Sequence, residues 1–288
     1  MSIVLDAKLR PGAAALDWLP VAVGLLLLYV PTFYKLGTTL WLTEDHAQGP
    51  IILAVVVFLF WRRRDAFLCA PARAARGTGL ALLVLGLLVY VVGRSQGINL
   101  FEVGSLLPVL AGTLLLMRGW EALRAMWFPV LFVVFLIPFP DVFVDALTGP
   151  LKQNVSALAE QFLYAAGYPV ARNGVVLTVG QYQMLVADAC SGLNSMFSLS
   201  ALGLLYLYLM GHKSRLHNAV VVASILPIAF IANVVRVIVL VLVTYHLGDE
   251  AGQGFLHGAA GLLLVMVALL IVLVLDGSLS KLFKQRGA

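Results

Sequence analysis

Pro227-Ile-Ala-Phe-Ile-Ala-Asn-Val-Val-Arg-Val-Ile-Val-Leu-Val-Leu-Val-Thr244 holds one charge, Arg236, in an otherwise apolar run that polar side chains interrupt only at Asn233 and Thr244. An apolar segment of that length reads as a membrane-spanning helix. A guanidinium stays protonated at any accessible pH. On insertion scales it costs roughly 2.5–3.5 kcal/mol at the centre of such a helix. A function or a partner must offset that cost, so Arg236 is the first candidate site residue.

The rest of the chain agrees with a membrane setting. It has 288 residues, 61% of them hydrophobic and only 11% charged, with a mean hydropathy of +0.99. Charged residues usually make up about a quarter of a soluble chain, so a soluble globular domain is excluded. Apolar runs near 18–36, 47–61, 78–93, 98–117, 125–139, 190–210, 218–245 and 255–275 predict about eight spans. The fold class expected is all-α, a polytopic membrane bundle forming a single integral domain over residues 1–288. The first run reads as a retained span and not as a cleaved leader.

Basic residues orient the bundle. With the N-terminus inside, the cytoplasmic segments hold 14 of the 19 Lys and Arg residues, including Arg62, Arg63, Arg64, Arg118, Arg124, Lys281 and Lys284. The outer segments keep Lys35, Arg94, Lys152 and Arg172, together with nine of the 14 acids. Both termini are expected in the cytoplasm. The pI near 9.3 then reflects topology, with no nucleic-acid partner implied. The two cysteines fall on opposite faces: Cys69 in a basic inner loop, and Cys190 at the outer end of the sixth span. No disulfide can join them in this topology.

Residues 140–187 form the one sizeable segment outside the spans, and the topology puts it on the outer face. Leu147, Leu151, Val155, Leu158, Phe162 and Ala166 recur at helical spacing, which predicts an amphipathic surface helix with Pro150 near its start or at a kink. Residues 173–186, with turn residues around β-branched alternation, predict a short β-hairpin. That hairpin delivers the chain to Asp188 and Cys190.

Depth counting brings three groups together. Cys190 opens the sixth span and His257 the eighth, both at the outer face. Arg236 lies nine residues before the outer end of the seventh, about 13 Å deep at 1.5 Å per residue, and a long side chain recovers part of that. A thiol at a helix N-terminus beside a cation is partly ionised. His257 could then act as general base and acid, and Arg236 as an oxyanion donor. Asn233, one turn before Arg236, could orient the guanidinium. Asp188, Ser191 and Asn194 could shape the surroundings of Cys190. Blander readings stand beside these. A lone Cys in a membrane helix is ordinarily a small apolar residue, and a His at a helix start an interfacial one; His46 and His246 read that way. An in-span Arg could also line an anion path or hold a lipid phosphate.

Three separated stretches resemble the exosortases. Met184-Leu-Val-Ala-Asp-Ala-Cys-Ser-Gly-Leu-Asn194 is similar to that family's cysteine motif, Ile228-Ala-Phe-Ile-Ala-Asn-Val-Val-Arg-Val237 to its arginine motif, and Phe255-Leu-His-Gly258 to its histidine motif. Leu136-Ile-Pro-Phe-Pro140 and Pro150-Leu-Lys-Gln-Asn-Val-Ser156 resemble its central region. Glu44-Asp-His-Ala-Gln-Gly-Pro50 resembles its outer-loop motif but carries Gln48 where a His is expected, a departure that suggests a subfamily such as exosortase B. The resemblance implies a cysteine transpeptidase of the bacterial inner membrane with its site facing the periplasm. Its partners would be exported proteins bearing a C-terminal Pro-Glu-Pro motif, an apolar helix and a basic end, often alongside exopolysaccharide machinery. Cys190, Arg236 and His257 would be catalytic, with no metal or organic cofactor. The alternatives are an anion transporter, or a scaffold of an exopolysaccharide-export system.

Overall fold

A computed structural model describes residues 11–43, 46–68, 74–185, 192–211, 214–248 and 255–285. The chain divides into two compact units, Met1–Phe139 and Pro140–Ala288. The regular elements among the described residues of the first are all helical: α1 (Pro11–Thr38), α2 (Gly49–Arg62), α3 (Arg64–Leu68), α4 (Arg76–Gln96), α5 (Asn99–Gly104), α6 (Leu106–Met117), α7 (Trp120–Ala125) and α8 (Trp127–Phe132), with short 3₁₀ turns at Leu40–Leu42 and Val133–Leu136.

Helices occupy all eight apolar runs, but they are unequal. Among the described residues, four segments are long and apolar enough to cross a membrane: Leu16–Leu42, Arg76–Gln96, Asn99–Met117 and Leu216–Leu247. Gly49–Arg62, Trp127–Leu136 and Phe197–Met210 are shorter apolar helices. The protein is therefore a mostly helical membrane protein. The run at 98–117 is broken at Ser105, which ends α5 and precedes α6.

Two devices hold the first unit. Gly79, Gly86 and Gly93 recur every seven residues along α4 and are buried. A methyl added at Gly79 would come within 2.8 Å of the Leu116 backbone nitrogen, and one at Gly86 within 2.9 Å of that of Val109. The stripe thus lets backbones approach closely, the usual route to helix association where lipid removes the hydrophobic drive. The second device is Glu102, fully buried in α5. Its Oε1 accepts from Thr32 Oγ1 and Arg94 Nη1, each at 2.7 Å, and Lys35 Nζ lies 3.8 Å from Oε2. A buried carboxylate is tolerable only when paired in this way. Lys35 and Arg94 thus also neutralise an acid on the neighbouring helices.

The second unit starts with α9 (Asp141–Ala165), followed by strands β1 (Val170–Asn173), β2 (Val176–Val179) and β3 (Tyr182–Leu185), and then α10 (Gly192–Met210), α11 (Arg215–Leu247) and α12 (Phe255–Gln285). The strands form an antiparallel meander of order β1-β2-β3, one strand more than the expected hairpin. The missed strand ends at Asn173, which pairs with Val176. Gly174, at φ 63°, and Val175 make the β1–β2 turn, with glycine at the first central position, where a two-residue hairpin turn needs positive φ. Gly180, at φ 57°, makes the second turn.

The amphipathic helix is present, but its buried face is rotated by about one position from the expected stripe. Val155, Ala159 and Leu163 are buried, whereas Phe162 is 61% exposed. The covering partner decides this. Those three residues share one core with Leu177 and Val179 of β2, Met184 of β3, and Val234, Val237, Leu240 and Val241 of α11. Polar contacts latch sheet to helix: Ser156 Oγ donates to the Gly174 carbonyl at 3.1 Å, and Arg172 Nε donates to Glu160 Oε2 at 2.9 Å.

Candidate active site

Arg236 lies in α11, 4% exposed, with Asn233 one turn earlier at 5%. The helix around them stays regular because the run has no glycine and because both flanks are packed. On one side Val234 and Val237 belong to the core shared with α9 and the sheet. On the other, Ala229 and Ala232 pack with Leu199 of α10 and Ala268 of α12. A guanidinium in this setting is shielded from bulk water and surrounded by protein, where each interaction it makes is stronger than in solvent.

Helix register fixes the levels of the neighbouring chain. Helices α10, α11 and α12 run successively antiparallel and pack on one another. A methyl at Gly203 of α10 would come within 2.6 Å of Ile225 Cδ1 in α11. Eleven residues back from Gly203 is Gly192, and eleven forward from Ile225 is Arg236. At a common rise per residue, Arg236 is level with the first residue of α10. Between α11 and α12, His217 meets Asp276, Val221 shares a cluster with Val272, and Ile225 shares one with Ala268. Each step of four along one helix is matched by four back along the other. Continued to nineteen residues from His217 and Asp276 alike, the register brings Arg236 level with the His257 position in the first turn of α12.

The candidate residues thus divide. Arg236 and Asn233 are together and buried. Asn194 and His257 lie on helical backbone at the Arg236 level, with their side chains outside the described residues. Asp188, Cys190 and Ser191 lie outside the described residues, as does Cys69. What is described brackets them: Met184, six residues before Cys190, belongs to the core cluster of Val237, and α10 begins at Gly192, two residues after it. Among the described residues no group of His, Cys, Asp and Glu is arranged to hold a metal ion.

Near the end of α11, Tyr168, Tyr245 and His246 form an aromatic cluster. Tyr168 and Tyr245 are edge-to-face at 5.5 Å, and the Tyr168 hydroxyl lies 3.2 Å from His246 Nε2. His246 therefore ties the loop before β1 to the end of the Arg236 helix. A second polar node, at the opposite end of the same helices, joins Tyr206, His217 and Asp276. The sequence reading missed it because these residues lie at or near the expected ends of spans, where polar residues need no special explanation.

A mostly helical membrane fold with a buried Arg in a span-length apolar helix, and a small sheet packed on that helix, defines a class of polytopic membrane proteins that hold a polar group inside their helical core. The family comparison is specific: the sequence pattern of the transmembrane exosortases matches residues 41–274, and the chain belongs to that family. No match was found among curated proteins or among solved structures.

Proposed function

We propose that this exosortase is a cysteine transpeptidase that cleaves C-terminal sorting signals of exported proteins. The observation that supports it most is the buried Arg236, level with the start of α10 and with the His257 position, and flanked by Val234 and Val237 of the core that β3 joins at Met184, six residues before Cys190. In the proposed reaction the Cys190 thiolate attacks the carbonyl carbon of the scissile bond. The oxyanion that forms is stabilised by the Arg236 guanidinium, steadied by Asn233. Collapse breaks the C–N bond, His257 gives its proton to the leaving amine, and a thioester to Cys190 remains. An acceptor amine, or water, loses a proton to His257 and attacks the thioester, restoring the thiolate. Asp188 and Asn194 support the Cys190 segment. The chemistry uses no cofactor.

The same reading has eight spans, both termini in the cytoplasm, and residues 140–187 facing the periplasm of the inner membrane. The exposed Val142, Phe162 and Tyr164 of α9 suit a helix lying against lipid. A substrate carrying its own apolar helix could approach from the bilayer while its Pro-Glu-Pro segment reaches the sheet side. In organisms that make exopolysaccharide, that export machinery would be a partner.

Labelling of the two thiols tests orientation and site together. A membrane-impermeant maleimide added to intact spheroplasts should modify Cys190 near neutral pH and spare Cys69. A peptide ending in Pro-Glu-Pro, an apolar helix and a basic tail should slow it severalfold. Modification of Cys69 alone would reverse the topology, and labelling of Cys190 indifferent to the peptide would favour the transporter or scaffold reading.

A further inference from the structure

The node formed by Tyr206, His217 and Asp276 belongs to none of the chemistry above, yet it lies on the same three helices. Asp276 and His217 are 3% and 2% exposed. His217 Nε2 lies 2.5 Å from Asp276 Oδ1, and the Tyr206 hydroxyl donates to Oδ2 at 2.7 Å. Each carboxylate oxygen is thus held by a different helix: one by α11, the other by α10. His217 is itself fixed, since the Ser214 hydroxyl accepts its backbone N–H at the start of α11. We propose that Asp276, with His217 and Tyr206, is a positioning cluster that sets the sliding register of α10, α11 and α12, and so holds Arg236 and His257 at one level. This rests on the reading above, in which those two residues act together.

The apolar contacts between α11 and α12 are poor at specifying register. Those described involve Val221, Ile225, Ala229, Ala232, Ala268 and Val272, aliphatic side chains with no directional preference, whereas between α10 and α11 the fit of Ile225 at Gly203 also sets the level. Within a bilayer the surrounding lipid is as apolar as they are, so packing and interhelical hydrogen bonds choose the arrangement. A slide of one helical turn moves a side chain by about 5.4 Å. Aliphatic packing could re-form after such a slide, but a hydrogen bond could not, since it demands a separation near 2.7–3.2 Å. The nineteen-residue spacing from His217 to Arg236 and from His257 to Asp276 makes one contact at the far end sufficient to level the two. A carboxylate is suited to the task because both oxygens accept; with the proton of His217 on Nε2, an Asn in its place sets an NH2 group against one of the two donors.

The test uses full-length protein with Cys69 and Cys190 replaced by alanine. Cysteine pairs report register by disulfide crosslinking: Ala232→Cys with Gly261→Cys for the observed level, and Ala232→Cys with Val265→Cys for a one-turn slide. Asp276→Asn should cut the first crosslink at least threefold and raise the second, and Asp276→Glu should restore most of the first. With Cys190 present, Asp276→Asn should lower kcat for sorting-signal cleavage at least tenfold while KM stays within about twofold, per mole of monodisperse protein. Tyr206→Phe removes the hydrogen bond to Oδ2 and keeps the ring; it should move both readouts the same way by less, which covers the case in which Asp276→Asn does not fold. An unchanged crosslink pattern in every folded variant would overturn the proposal. A shifted pattern in a protein that cleaves no sorting signal even with Asp276 intact would uphold the cluster's role in register and count against the protease reading.

Discussion

Cys190→Ala should abolish processing of a reporter that ends in Pro-Glu-Pro, an apolar helix and a basic tail, while the protein still inserts and accumulates. Loss of the nucleophile leaves no covalent route. In enzymes whose catalytic groups act as a unit, such a loss costs on the order of 10⁴–10⁶ in kcat. Cys190→Ser should be nearly as inactive, because the proposed mechanism needs a thiolate and a serine hydroxyl would be scarcely ionised in its place. Cys69→Ala, three expected spans away in the sequence, should leave processing unchanged. Immunoblots of precursor and product at matched membrane levels decide the matter, and full processing by Cys190→Ala would remove the enzyme reading.

Arg236→Lys separates charge from geometry. The residue is 4% exposed, so its environment is built around a planar, permanently charged fork. Lys keeps the charge but presents a single ammonium on a flexible stem. If the guanidinium donates to an oxyanion, removing that preorganised donor should cost about 10²–10³ in rate, and Arg236→Ala should cost at least as much. If Arg236 only supplies positive charge to an anion path or a lipid phosphate, Lys should serve nearly as well. Initial rates of cleavage for the two variants distinguish the cases. Near-normal activity with Lys would withdraw the oxyanion role.

What could be read from the sequence follows from which features are local. Arg236 stood out because a charge in an apolar run has an intrinsic cost that no neighbour is needed to recognise. The surface helix was visible in its spacing, but its orientation was not. Phe162 is the larger apolar residue, yet Ala159 and Leu163 are the ones buried, because the sheet and α11 decide which side is covered. Asn173-Gly174 signals a turn that the sequence places at the start of a hairpin, whereas it is the end of β1 and the first turn of a meander; the signal does not say that Val170–Asn173 pairs before it. Glu102, Lys35 and Arg94 counted in the sequence only as charges on one face; their ion pairing is a tertiary fact. Asp276 and His217 were invisible for the same reason, although their equal distances from His257 and Arg236 were there to be counted.

The central claim is that the peptide bond is broken through a thioester on this chain, and interception of that thioester tests it most directly. Cleavage of the sorting-signal reporter by purified protein would be run with and without neutral hydroxylamine, and the new C-terminus of the product identified by mass spectrometry. A thioester at Cys190 predicts a hydroxamate at that terminus, formed by the unmutated protein and absent with Cys190→Ala. A product ending only in a free carboxylic acid, at a rate and in a yield that hydroxylamine does not alter, would contradict the account.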